Sequence, residues 1–420
     1  MALTMSNYDA LLKDMYEGAV REQLNNEVPL FKLLEESDRP VSGRRAVYPA
    51  HTTRNSGVGS RAENTTLPSA GQQGHSLVVV TATYFYARGR ISGQAIAAGK
   101  HAFAEALSNE MDGVVKDAKV DLGRQCWGTG DGRLAQIGVS ATVDASQILV
   151  FNRFAEPSQP GGRYINQNMN IELGTVADSD ARGGPVIVTA IQISSVPATT
   201  TDTLVTSGSF AILSACTDYV FNEGAGGVGI EMLGLEAIVD VFSTDNRWNT
   251  TAFASATLLG IDRSTVDRWN AIVLENSGTS RIIDGNLVQQ MFDEIHIESG
   301  MEPSLIMGHH SVVRAFLDSV ASDRRYQTSK FDSGMSALSY NGVQLERDRS
   351  APYNTLFVGV KETLKKFTLK PISFADKDGA ILSRVSDLDM WEFWLCHYGN
   401  LTVDGPMKSL GMIRDIRTDL

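Results

Sequence analysis

Gly224, Gly226 and Gly229 in the stretch GAGGVG have the G-x-G-x-x-G spacing that lets a backbone close on a pyrophosphate at a helix N-terminus. Such a site needs a parallel strand before the glycines, a helix after them and an acid about twenty residues on. Asp245 stands near that distance. The preceding stretch of about ninety residues, however, reads as all-β and no second βαβ half follows, so a flexible exit from a β module fits better. GVGS, residues 57–60, lacks the Lys-Ser/Thr ending of a phosphate loop. His309 and His310, and Asp293, Glu294, His296 and Glu298, are metal-capable, but adjacent helical residues point about 100° apart and neither set converges. They read as a turn and a solvated face. Cys126 beside Trp127 has no local histidine and reads as a buried thiol. Trp391, Phe393 and Trp394 lie in strand-like sequence and read as core. No nucleophile, base and oxyanion hole come together, so an enzyme is not expected and no cofactor is implied.

The arginines carry more information. The net charge is −12, which disfavours a protein that grips nucleic acid by neutralising phosphates. Residues 41–95 nevertheless hold Arg44, Arg45, Arg54, Arg61, Arg88 and Arg90 against the single acid Glu63, a net of +5 that leaves −17 on the remainder. A basic segment on an acidic body suits docking onto a second copy of that body. These seven residues are the candidate intersubunit contacts. Three widely spaced cysteines, Cys126, Cys216 and Cys396, fit a reducing compartment without a disulfide framework. The first twenty residues lack the pattern of a secretory signal, and no apolar run is long enough to span a membrane.

The basic segment is organised as a hairpin. AVYPA (46–50) and SLVVVTATYFYARGRI (76–91) are strand-like and flank the polar stretch HTTRNSGVGSRAENTTLPSAGQQGHS. That stretch holds too little apolar surface to fold on itself. A short helix is predicted near Val28-Pro29. From about residue 94 to 125, Phe103, Leu107, Met111, Val114, Ala118 and Leu122 form an apolar helical stripe, with Lys100, Glu105, Glu110, Asp112, Lys116 and Lys119 largely off it. Residues from about 134 to 222 show short strands separated by turns, as in a small sandwich or barrel. The remainder is α+β, with a helix capped by Asp284, a strand–turn–helix over 303–320 and strands to the end.

This order of parts resembles the major capsid proteins of tailed bacteriophages, with the Hong Kong 97-type fold that encapsulin shells share. YPAHTTRN…YARGRIS (48–92) resembles the extended loop laid over a neighbouring subunit, and GKHAFAEALSNEMDGVVKDAKVDLGRQCWGTG (99–130) the spine helix. NLVQQMFDEIHIES…VVRAFLDS (286–319), YNGVQLERD…KETL (340–364) and YGNLTVDGPMKSLGMIRDI (398–416) resemble the later passages of the peripheral and axial domains. The resemblance implies an α+β capsid fold divided as N-terminal arm 1–40, extended β-hairpin loop 41–95, spine helix 96–130, inserted all-β domain 131–225, axial domain 226–283, peripheral domain 284–350 and closing strands 351–420.

It also implies an icosahedral head shell around double-stranded DNA, bound without sequence specificity. The partners implied are the chain itself in hexamers and pentamers, a separate scaffolding protein, a portal protein and, optionally, a decoration protein. The location implied is the virion, with assembly in the host cytoplasm and no membrane contact. Some relatives weld their shell through a loop lysine. Here no lysine lies between Lys32 and Lys100, so the shell is expected to hold by non-covalent contacts. An encapsulin-type compartment is the alternative, and a soluble nucleotide-binding enzyme a more distant one.

Overall fold

A computed structural model describes residues 29–39, 41–94, 100–144, 147–152, 161–175, 178–179, 181, 183–192, 202–208, 210, 218–227, 229–240, 257–321, 339–376 and 381–418. The chain enters through the short helix α1 (Pro29–Leu33), as Pro at a helix start predicts. Leu30 and Phe31 are buried in the main core. Strands β1 (Glu35–Glu36) and β2 (Val41–Ser42) precede a long hairpin formed by β3 (Arg45–Thr53) and β4 (Gly74–Thr81).

The run 76–91, expected as one strand, is two. Ala82 is buried and donates its N–H to the Arg44 carbonyl, and β5 (Thr83–Ser92) then leaves the hairpin for a different sheet. Burial falls on Val78, Val80 and Ala82 before this point but on Gly89 after it, so the buried face changes phase. Apolar residues at nearly every position hid that slip from a period-two reading.

Helix α2 (Lys100–Trp127) follows, 28 residues and about 42 Å long. Its described core stripe is Met111, Val115, Ala118, Leu122 and Cys126. Val115 replaces the expected Val114, which only packs against the edge of the core. The side chains of Phe103 and Leu107 lie outside the described residues. Lys119, expected off the stripe, is buried beside Ala118, while Lys116, Asp117 and Val120 around it are exposed.

The β-rich zone is a closed six-stranded barrel of β6 (Arg133–Asp144), β7 (Gln147–Asn152), β8 (Asn170–Gly174), β9 (Val186–Gln192), β10 (Asp202–Thr206) and β11 (Tyr219–Asn222). Its core, including Ile148, Leu173, Leu204 and Val220, is separate from the main one. The strand-like run SFAILS, residues 209–214, lies outside the described residues apart from Phe210. The barrel's two connections are zipped together: Gly227 N–H donates to the Asp131 carbonyl and Gly229 N–H to the Gly130 carbonyl, each at 3.1 Å. Positive φ at Gly130, Gly227 and Gly229 permits this return path. The GAGGVG motif is therefore a linker after an antiparallel barrel strand, not a phosphate cradle. Asp245 lies outside the described residues.

The rest comprises α3 (Leu235–Ile238), the two-strand ribbon β12 (Thr257–Leu258) and β13 (Ile261–Asp262), β14 (Ile272–Leu274), α4 (Gly285–Ser299), β15 (Leu305–Gly308), α5 (His310–Ala321), β16 (Ser339–Tyr340), β17 (Val343–Arg347) and β18 (Leu356–Gly359). It closes with β19 (Leu364–Phe374), β20 (Ser383–Arg384), β21 (Met390–Val403) and β22 (Leu410–Ile413). Asp284 caps α4, accepting from Leu287 N–H, and Val288, Met291, Phe292 and Ile295 face a core under the sheet β14-β22-β18-β15-β17-β16. A second sheet runs β1-β19-β21-β20 with β5 paired to β21; α2 contacts β5. No described helix is long and apolar enough to cross a membrane.

Candidate intersubunit surface

The hairpin presents two faces. Ala46, Tyr48, Val78 and Val80 point inward and are buried, and the Tyr48 hydroxyl lies 2.7 Å from Thr402 Oγ1 and donates to the Val403 carbonyl at 2.6 Å. Burial pushes the Tyr48 pKa up to about 12, so the phenol stays protonated. Arg45, Val47, Pro49, His51, His75 and Leu77 lie on the opposite, exposed face. Beyond Thr53 the chain continues as a polar tip. At its neck Gly57 and Gly71 pass so closely that a Cβ on Gly57 would sit 3.0 Å from the Gly71 nitrogen, so only glycine fits.

Arg44, Arg45, Arg54, Arg61 and Glu63 are all exposed on this hairpin, and none of their side chains forms an ion pair among the described residues. Arg88 and Arg90 are placed differently. They sit on β5, register-paired with Trp394 and Glu392, and both guanidinium groups engage Glu392 of the same chain, Arg90 at 3.5 Å. Two arginines share one carboxylate there, which leaves a net positive charge on that edge.

Arg39 lies just before the basic segment. It is bonded to Asp404 at 3.1 and 2.5 Å and stacks on the Tyr48 ring at 5.0 Å, tying the end of the arm to the hairpin root. The Asp404 carboxylate holds its pKa above the ordinary value, against a smaller loss from burial. No sequence signal joins residues 365 positions apart. An acidic face lies on and beside α4. Asp284, Asp293, Glu298 and the following Glu302 are exposed, and Glu294 is half-buried, with only His296 among them as a basic group. Asp293 and Glu294 accept from Gln289 and Gln290, and His296 approaches Glu302 at 3.2 Å, as a solvated face does.

The remaining chemistry-bearing residues are structural. His309, at the turn before α5, accepts from Ser311 N–H and packs on Tyr353 at 4.2 Å. Burial and the neighbouring charge of Arg163 press its pKa down to about 3. Arg163 belongs to the barrel; it also stacks on Tyr353, while the adjacent Tyr164 hydroxyl donates to the Ser350 carbonyl, docking barrel on body. Cys126 is fully buried and its pKa is raised by that burial, so it is not a reactive thiol. Phe393 is core, with Trp391 and Trp394 half-buried. No group of three metal-capable side chains assembles among the described residues.

A long hairpin with a polar tip, a long helix against β5 and a second mixed α/β unit are components of the Hong Kong 97-type capsid fold. The structure of the cyanophage A-1(L) capsid asymmetric unit matches with a TM-score of 0.53 at 15% identity, covering 93% of each chain. A native GTA particle capsid matches at 0.45 and 9% identity, covering 92% of this chain and 90% of that one. A Mycobacterium phage Adephagia structure matches at 0.42 and 9%, with the same coverage. The fold assignment rests on the first. No family model and no curated protein matches the sequence.

Proposed function

We propose that this chain is the major capsid protein of a tailed phage, self-assembling through hexamers and pentamers into an icosahedral shell around double-stranded DNA. The observation that carries the reading is the exposed basic set Arg44, Arg45, Arg54 and Arg61 on the hairpin of an otherwise acidic chain that shares its fold with a cyanophage capsid protein. Long-range attraction between unlike surfaces steers such subunits together and sets their register. Arg88 and Arg90 contribute from the sheet edge, their geometry fixed by Glu392.

In this reading the role is architectural rather than enzymatic, and the protein ends in the virion after assembly in the host cytoplasm. A separate scaffolding protein and a portal complete the assembly, with a decoration protein as a further partner. The lysine-free loop clasps its neighbour without a covalent weld. Negative-stain microscopy of the purified chain, with and without a co-expressed scaffold, tests this. Closed shells or flat hexameric sheets are expected. A discrete small oligomer under both conditions overturns it.

A further inference from the structure

We propose that His51 and His75 form a two-imidazole site for a divalent transition-metal ion at the neck of the hairpin. The two residues are direct partners in the β3–β4 register, both exposed on the outward face. Their ring centroids are 5.5 Å apart. A metal at about 2.0–2.1 Å from a ring nitrogen lies roughly 3.2 Å from that ring's centroid, so two rings at a tetrahedral angle have centroids about 5.3 Å apart. The centroid separation therefore matches that of two imidazoles on one ion, with the ring planes meeting at 64°. They are the only histidines of the hairpin, and strand pairing rather than chain proximity brings them together.

The chemistry selects the ion. Neutral imidazole suits Zn²⁺, Ni²⁺ and Cu²⁺, whereas Mg²⁺ and Ca²⁺ require oxygen donors. With two protein ligands, water fills the remaining positions, which makes an exchangeable site rather than a closed structural one. His51 also lines a groove of about 470 Å³ shared with Glu298 and Asp404. The register changes between His51 and Thr53, at the point where the ladder gives way to the polar tip. An ion there ties the two strands where they would otherwise fray, and so sets how stiffly the tip is carried. The site rests on the hairpin alone and stands whether or not the chain builds a shell.

The test is calorimetric titration of the full-length protein with Zn²⁺ and Ni²⁺. One ion per chain is expected at this site, with Mg²⁺ silent. The second imidazole acts at high effective concentration, so His51→Ala and His75→Ala should each weaken binding by roughly a hundredfold. His310→Ala should leave binding unchanged. The variants His51→Gln and His75→Gln, which keep side-chain bulk, cover the case in which an alanine disturbs the hairpin, with circular dichroism as the check on folding. As a second readout, saturating Zn²⁺ should slow hydrogen exchange at the Thr52 and Thr53 amides. Affinity within twofold of the unsubstituted protein in either glutamine variant, equal response to Mg²⁺, or unchanged exchange at the neck overturns the site.

Discussion

Arg124 shows why a charged residue late in an amphipathic helix need not be solvated. Its guanidinium is buried, bonded to Asp121 at 2.7 and 2.9 Å and forked onto Glu231, which is also buried. Burial disfavours its charge, yet the two carboxylates hold its pKa above the ordinary value. Burial in turn pushes Glu231 up against the pull of Arg124. Removing one partner strands the other, so Arg124→Met should cost about 3–5 kcal/mol in chemical denaturation. The double variant Arg124→Met/Glu231→Leu should recover most of that loss, and a double variant no better than the single would show that the pair is not coupled. His397 offers a pH test. It is buried edge-on to the Phe31 ring at 5.7 Å, and burial with the nearby charge of Lys366 lowers its pKa from 6.5 to about 4, against a hydrogen bond to the Lys370 backbone. The unfolded chain takes up a proton in that window and the folded chain does not. Stability is thus fully present above pH 6.5 and falls by roughly 3 kcal/mol as pH drops to about 4. His397→Leu should remove that part of the slope, leaving the share of the more exposed His309. Neither burial was legible in the sequence, because each depends on segments far apart in the chain.

Elements with a strong local code were legible and those defined by pairing were not. The Asp284 cap and the 3.6-residue stripe announce α4, and the stripe of α2 announces a helix whose last turns vanish into the core. The barrel was legible as a zone, since regular turns punctuate β-branched runs, but its closure was not, because β6 and β11 pair with each other from opposite ends of the zone. The division of 76–91 between two sheets was hidden because a strand's sequence does not name its partner. The barrel itself makes an element-scale prediction. Its core is separate, and its entry and exit are already hydrogen-bonded to each other at Gly130, Asp131, Gly227 and Gly229. Replacing residues 133–223 by a short Gly-Ser bridge should leave a body with native near-ultraviolet dichroism and cooperative unfolding. Its midpoint should be lowered by loss of the Arg163–Tyr353 stacking, the Tyr164–Ser350 and Arg163–Ala351 hydrogen bonds and the buried Arg133–Asp131 ion pair. A molten product would show that the barrel belongs to the same cooperative unit.

At the scale of the whole molecule, charge separation is the property on which the proposed assembly turns. The basic set was legible from counting, and the capsid-like order of parts from motif succession. The acidic face of α4 is legible in sequence as the string DEIHIE, and among the described residues its one ion pair is His296 with Glu302. Attraction between exposed surfaces is screened over about 10 Å at 0.1 M salt, so assembly followed by light scattering should slow as ionic strength rises. Reversing Arg54 and Arg61 to Glu should block assembly while circular dichroism shows a folded subunit, because both side chains are exposed and make no ion pair within the described chain. The counterpart distinguishes a specific contact from general repulsion. If the hairpin meets α4 of a neighbour, Asp293→Lys/Glu298→Lys in the Arg54→Glu/Arg61→Glu background should restore particles, whereas two lysines placed on exposed α2 positions, Glu110→Lys and Asp117→Lys, should not. Rescue by both sets would reduce the effect to net charge, and rescue by neither would move the hairpin's partner off α4.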